Sequence, residues 1–341
     1  MKKLIVLALT MGAILTLTGC SSNIKLPTAL ENSAKMNSYS YEVSLEASSE
    51  SLDTVGEEYG MSPDASVKLG LVGKMNNADG RVKNYSEISL SYGGLSIETP
   101  VYIDASEKEF DFDLFVGIPG IVKDYVAEGK TDAYLSAADL KDFLKGSMTE
   151  EEYQKFDASI KEAYGEDAAS KAVSNEMVKC FFAYIEKNSK TVEKFEKLDG
   201  LKASANGVYT ITLSKDDVKA LVADYLNNPD YYTHLKEVIE KADTEDIPTA
   251  EDMITSFNES MEEIKDLSIV TTFTIKDKFI AETNLGIQAT DKNDAKTSMS
   301  FLMKLSDINK GNDIAMPDKN ADSTFNLIDF LSGLNGLETI E

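Results

Sequence analysis

The chain has 341 residues, of which 59 are acidic and 34 basic, a formal charge of −25. So negative a surface disfavours binding to a phosphate backbone and docking by charge on anionic lipid, which sets nucleic acid aside as a partner. The length is ample for a fold held by its own core, and two cysteines cannot supply a disulfide framework.

At the N-terminus Lys2 and Lys3 precede an apolar stretch from Leu4 to Leu17, broken only by Thr10, Gly12 and Thr16. That is the layout of a signal peptide, and it ends before the ~20 apolar residues that a spanning helix needs. The next residues, Leu17-Thr18-Gly19-Cys20, resemble the lipobox of bacterial lipoprotein precursors. The resemblance implies cleavage between Gly19 and Cys20, a diacylglyceryl group on the Cys20 sulfur and an N-acyl chain on the new terminus. Residues 1–19 are thus read as the leader, and 20–27 as a lipidated tether on the extracytoplasmic face of the cell membrane. Two or more acyl chains hold stably, at ~0.8 kcal/mol per buried methylene. Loss of Lys2 and Lys3 with the leader leaves 32 basic against 59 acidic residues, a charge of −27, so lipid rather than electrostatics must do the anchoring. With Cys20 acylated, Cys180 has no disulfide partner.

After a brief helix carrying Ala29, Leu30 and Met36, the hydrophobic period becomes two. Tyr39, Tyr41, Val43 and Leu45 share one strand face, and Val67, Leu69, Leu71 and Met75 repeat the pattern. Ile88, Leu90 and Tyr92 lead into the turn Gly93-Gly94, which returns through Leu95, Ile97, Val101 and Ile103; Phe110 to Val116 form a further strand. These read as half-buried strands of an antiparallel meander over 39–137.

Over 138–265 the period is helical, with stripes through Tyr153, Phe156 and Ile160, then Val173, Met177, Phe181 and Ile185, then Met253, Phe257, Met261 and Ile264. Thr149 to Glu152 and Thr249 to Asp252 read as capping boxes. Leu135-Ser136 and Leu213-Ser214 both run from a strand ending into a helix capped by the serine, with an aspartate three residues on. Strand periodicity returns over 266–315, through Ile269, Phe273 and Ile275, then Leu285 and Ile287, then Met299, Phe301 and Met303. Residues 28–315 therefore form one α+β domain with an antiparallel sheet, and 316–341 a tail with a short helix.

Lipobox, tether, meander, helical insertion and closing strands together resemble the LolA-like and LppX/LprG-like half-barrel lipoproteins. That resemblance implies a curved sheet covered by the central helices, with an apolar space between them that receives acyl chains. Met177, Phe181 and Phe257 are its candidate lining, since Met and aromatic side chains adapt to flexible chains. The function expected is binding or carrying a lipid or other apolar ligand. The alternative is a structural or interaction lipoprotein of the envelope with a filled core.

Chemistry is sparse. The single histidine, His234, reads as a helical residue after Pro229, and Cys180 as a core thiol in an apolar helix. Asp307 to Asp313 alternates oxygens but lacks the glycine and distal glutamate of an EF-hand, and reads as a turn. No nucleophile elbow, phosphate loop or zinc cluster is visible. No catalytic residue, metal or cofactor other than the covalent lipid is expected, and the protein is read as a non-enzyme.

Overall fold

The computed structural model describes residues 25–49, 66–121, 129–164, 168–188, 193–197, 206–241 and 247–330. The expected leader, the expected cleavage site at Gly19, the expected lipidation site at Cys20 and the end of the tail lie outside them. The fold is α+β with mostly antiparallel strands, and it divides into two compact units, each assembled from separated stretches of chain.

The first unit contains residues 1–36, 45–66 and 167–304. Its helices are α1 (Lys25–Ser33), α4 (Ala168–Lys187), α5 (Lys215–Leu226), α6 (Pro229–Lys241) and α7 (Ala250–Glu262). Its strands run in the order β11 (Lys296–Ser306), β10 (Phe279–Asp291), β9 (Ile264–Lys276), β8 (Gly207–Ser214) and β7 (Glu193–Lys197). All neighbours pair antiparallel. The register places Leu213 opposite Ile269, Ile269 opposite Ile287 and Tyr209 opposite Phe273. Because side chains alternate along a strand, these fall on one face. Leu26 of α1, Val178, Phe181 and Ile185 of α4, and Met261 of α7 share a buried cluster with that face.

Helix α4 buries residues on more than one side, which is why its stripe is broad. Val178, Phe181 and Ile185 point to the sheet, whereas Cys180 packs with Tyr225, Leu226, Tyr231 and Leu235 of α5 and α6.

The second unit contains residues 37–44, 67–166 and 305–341. Its meander is β2 (Val67–Ala78), β3 (Arg81–Tyr92), β4 (Leu95–Ser106), β5 (Phe112–Gly117) and β6 (Asp132–Ser136), with β1 (Ser38–Ser49) shared between the units. β12 (Thr324–Asn326) adds in parallel to β6. Three residues are too few to show a period, so this strand is invisible in the tail expected over 316–341. Asp79-Gly80 and Gly93-Gly94 both have two positive φ angles, the tight hairpin turn that suits twisted strands. Helices α2 (Ala137–Ser147) and α3 (Glu150–Tyr164) follow, with α2 packing on β6 and on α3. The alternating oxygens of 307–313 form a turn: Asp307, Asn309 and Gly311 have positive φ, and Asn309 Oδ1 accepts from the Asn37 amide at 2.8 Å.

Candidate functional site

The feature that separates the two units is how their sheet faces are covered. In the first, helices and strands close on each other and Phe181 is 5% exposed. In the second, the two faces of β2–β5 differ in chemistry. Leu69 pairs with Leu90 and Leu71 with Ile88, and across β4 Leu90 faces Ile97, Ser86 faces Val101 and Asn84 faces Ile103. Val101 and Ile103 continue onto Val116 and Leu114 of β5. Every residue on this face of β2–β5 is uncharged, in a chain where 27% of residues are charged. Lys68, Lys74, Lys83, Glu87, Glu98 and Asp104 all project from the opposite face.

The uncharged face is incompletely covered. Leu69, Leu71, Ile88, Val101 and Ile103 are half-buried, while Leu90 is 44% and Leu95 63% exposed. By contrast Phe115 and Tyr134, on the opposite face, are buried, their rings tilted at 44° to each other with centroids 4.8 Å apart. Lys319, from the segment after β11, sits over the Tyr134 ring at 5.7 Å. A contiguous, partly exposed aliphatic surface is a candidate interaction surface.

One small polar group interrupts the aliphatic face. Tyr41 Oη lies 2.5 Å from Ser86 Oγ and accepts from Asn84 Nδ2 at 2.9 Å, and Ser86 Oγ donates to Asn84 Oδ1 at 2.6 Å. The group is satisfied internally and brings no charge. Gly73 makes room for it: a Cβ there would lie 2.7 Å from Tyr41 Oη and 2.1 Å from the Tyr85 carbonyl oxygen.

The three candidate lining residues fall in two different clusters. Phe181 and Phe257 join the first unit's central cluster, while Met177 packs against the cluster of α5 and α6. Phe181 is core, and Met177 and Phe257 are partly buried beside different clusters. The uncharged face of β2–β5 was not among the residues singled out from the sequence. The available signal was the absence of charge on one strand face, which the half-buried pattern alone does not convey.

The first unit also has an open cleft of about 670 Å³ where β8 runs into α5, lined by Ser214, Lys215, Lys219, Glu262, Asp266 and Gln288 among others. It is polar, and its lysines are engaged. Lys219 pairs with Glu262 at 2.5 Å and holds that carboxyl below the usual range, and Lys215 Nζ donates to the Ile264 carbonyl at 2.7 Å.

Between α4 and α6, His234 Nδ1 lies 2.6 Å from Oε1 of Glu176, a residue only 7% exposed. Glu176 Oε2 and the Tyr225 hydroxyl are buried without a hydrogen-bond partner among the described residues. Burial, and secondarily Asp224, pushes the Cys180 thiol up to about 11, so it is not poised as a nucleophile. Among the described residues no group of three or more His, Cys, Asp or Glu side chains could hold a metal ion, and no helix is long and apolar enough to cross a membrane. The chain matches no family model and no curated protein.

Proposed function

We propose that the protein is an extracytoplasmic lipoprotein, anchored through acylated Cys20, that binds the acyl chains of a lipid or a comparable apolar ligand on the uncharged face of β2–β5. The observation that carries this reading is that face: largely aliphatic, without charge, and only partly covered in a strongly acidic chain. Water released from such a surface favours a ligand at ~25 cal/mol per Å² of apolar area covered. In this reading β2–β5 are the wall of a half-barrel, and the first unit, with its filled core, is a scaffold or protein-contact module. The action is binding rather than catalysis.

A fluorescent fatty acid titrated into the purified protein tests it. Leu71→Glu puts a carboxylate at the centre of the face, where an acyl chain would have to cover it. Binding should fall at least about tenfold, because burying an unpaired charge is costly. The melting temperature should change little, since Leu71 is only half-buried in the free protein. Absence of binding by the unaltered protein, or equal binding by the variant, overturns the assignment and leaves the envelope-structural alternative.

A further inference from the structure

The β3–β4 hairpin is polarised along its length. At its closed tip, ten consecutive residues from Ile88 to Ile97 carry no charge. The other end of the same strands holds Arg81, Lys83 and Asp104, followed by the Glu107-Lys108-Glu109 run and Asp111. There Arg81 pairs with Asp104 at 2.6 Å and with Asp111 at 2.5 Å. The two ends are separated by about 36 Å of strand, at ~3.3 Å per residue. The nearest charges to the tip on neighbouring positions are Lys68 opposite Ser91 and Glu98 opposite Ser89, which cancel.

The composition of the tip is that of an interfacial wedge. Leu90 and Leu95 project their side chains into solvent at 44% and 63% exposure. Tyr92, paired with Leu95, is an amphipathic ring of the type that sits at headgroup level. Gly93 and Gly94, with φ of 57° and 86°, close the turn without a bulky or charged residue. Elsewhere so acidic a surface is repelled by anionic lipid, and this end of the hairpin lacks the charges that would cause it.

We infer that the β3–β4 tip is a second, non-covalent contact with the lipid bilayer, with Leu90, Tyr92 and Leu95 entering the boundary between headgroups and acyl chains. The inference rests on the reading of the chain as a lipoprotein. The aliphatic face begins at Leu90 and Ile97, so a tip seated in the bilayer would open that face directly onto lipid and give an acyl chain a path that avoids water.

The chain contains no tryptophan, which makes a reporter simple. Leu95→Trp, in the full chain expressed in a lipoprotein-processing bacterium and reconstituted into phosphatidylcholine–phosphatidylglycerol vesicles, should show blue-shifted emission that is lost when the acyl chains are brominated. Val72→Trp, at an exposed position five residues along the strands from the level of the tip, should keep its emission and remain open to acrylamide. Labelled palmitate on Cys20 is measured in the same preparation. Palmitate incorporation with Trp at position 95 fully accessible to acrylamide overturns the inference and leaves the anchor standing. If palmitate is absent the anchor reading falls, and preformed vesicles added to the same variant decide the tip by the same quenching. Emission that is already blue-shifted without vesicles and grows with protein concentration assigns the tip to a second copy of the chain, which also overturns it.

Discussion

At the scale of single residues, Gly73 shows how little room the meander leaves around Tyr41. A Cβ at Gly73 would approach the Tyr85 carbonyl oxygen to 2.1 Å, and backbone cannot move aside as a side-chain tip can. Gly73→Ala should therefore cost about 1–3 kcal/mol in chemical denaturation, the usual range for overpacking. Unchanged stability would mean that Gly73 does not approach the Tyr85 carbonyl this closely. Nothing in the sequence reveals this contact, because a glycine within a strand pattern signals only a close approach, not what approaches. His234 and Cys180 were legible as ordinary helical and core positions, yet the buried carboxylate that His234 meets, Glu176, lies 58 residues away and leaves no local trace.

At the scale of elements, helix starts were the most legible feature, since capping is written in residues three apart. Ser214 and Thr249 each form a reciprocal box with Asp217 and Asp252, and Thr149 does so with Glu152. Burial alone would raise the Asp217 carboxyl, but the Ser214 hydroxyl and amide and the Tyr184 hydroxyl donate to it and hold it below its ordinary value. A depressed carboxylate stabilises the fold above its unfolded-state value, near pH 3.9, and that contribution is lost as pH falls through the folded value. Ser214→Ala should thus cost about 1 kcal/mol at neutral pH, with a gap from the unaltered protein that narrows below about pH 4. Melting curves from pH 3 to 7 check this; a gap that widens in acid would contradict it. Strand alternation was equally legible, but what covers each face was not. An aliphatic strand face under helices and one left half-exposed have the same period. The pairing of β2 through β5 joins the uncharged sides of the separate strands into one face.

At the scale of the whole molecule, the α+β class followed from the order of strands, helices and strands, but the division into two units did not. Each unit draws on distant stretches of chain, with β1 contributing to both. The leader and lipobox are read from sequence alone, and they make a separate prediction. Cys20→Ala should abolish palmitate incorporation and shift the protein from the membrane to the soluble fraction, because no other group in Leu17 to Cys20 can form the thioether. Continued labelling in the membrane fraction would refute the anchor.

The central claim concerns where an apolar ligand lies, and one measurement addresses it directly. A fatty acid bearing a photoactivatable diazirine is crosslinked to the full-length protein, and the adducts are mapped by mass spectrometry. Adducts on β2–β5, around Leu71, Ile88 and Val101, are the predicted result. Adducts on α4 or α7, around Met177, Phe181 and Phe257, or no specific adducts at all, would contradict it.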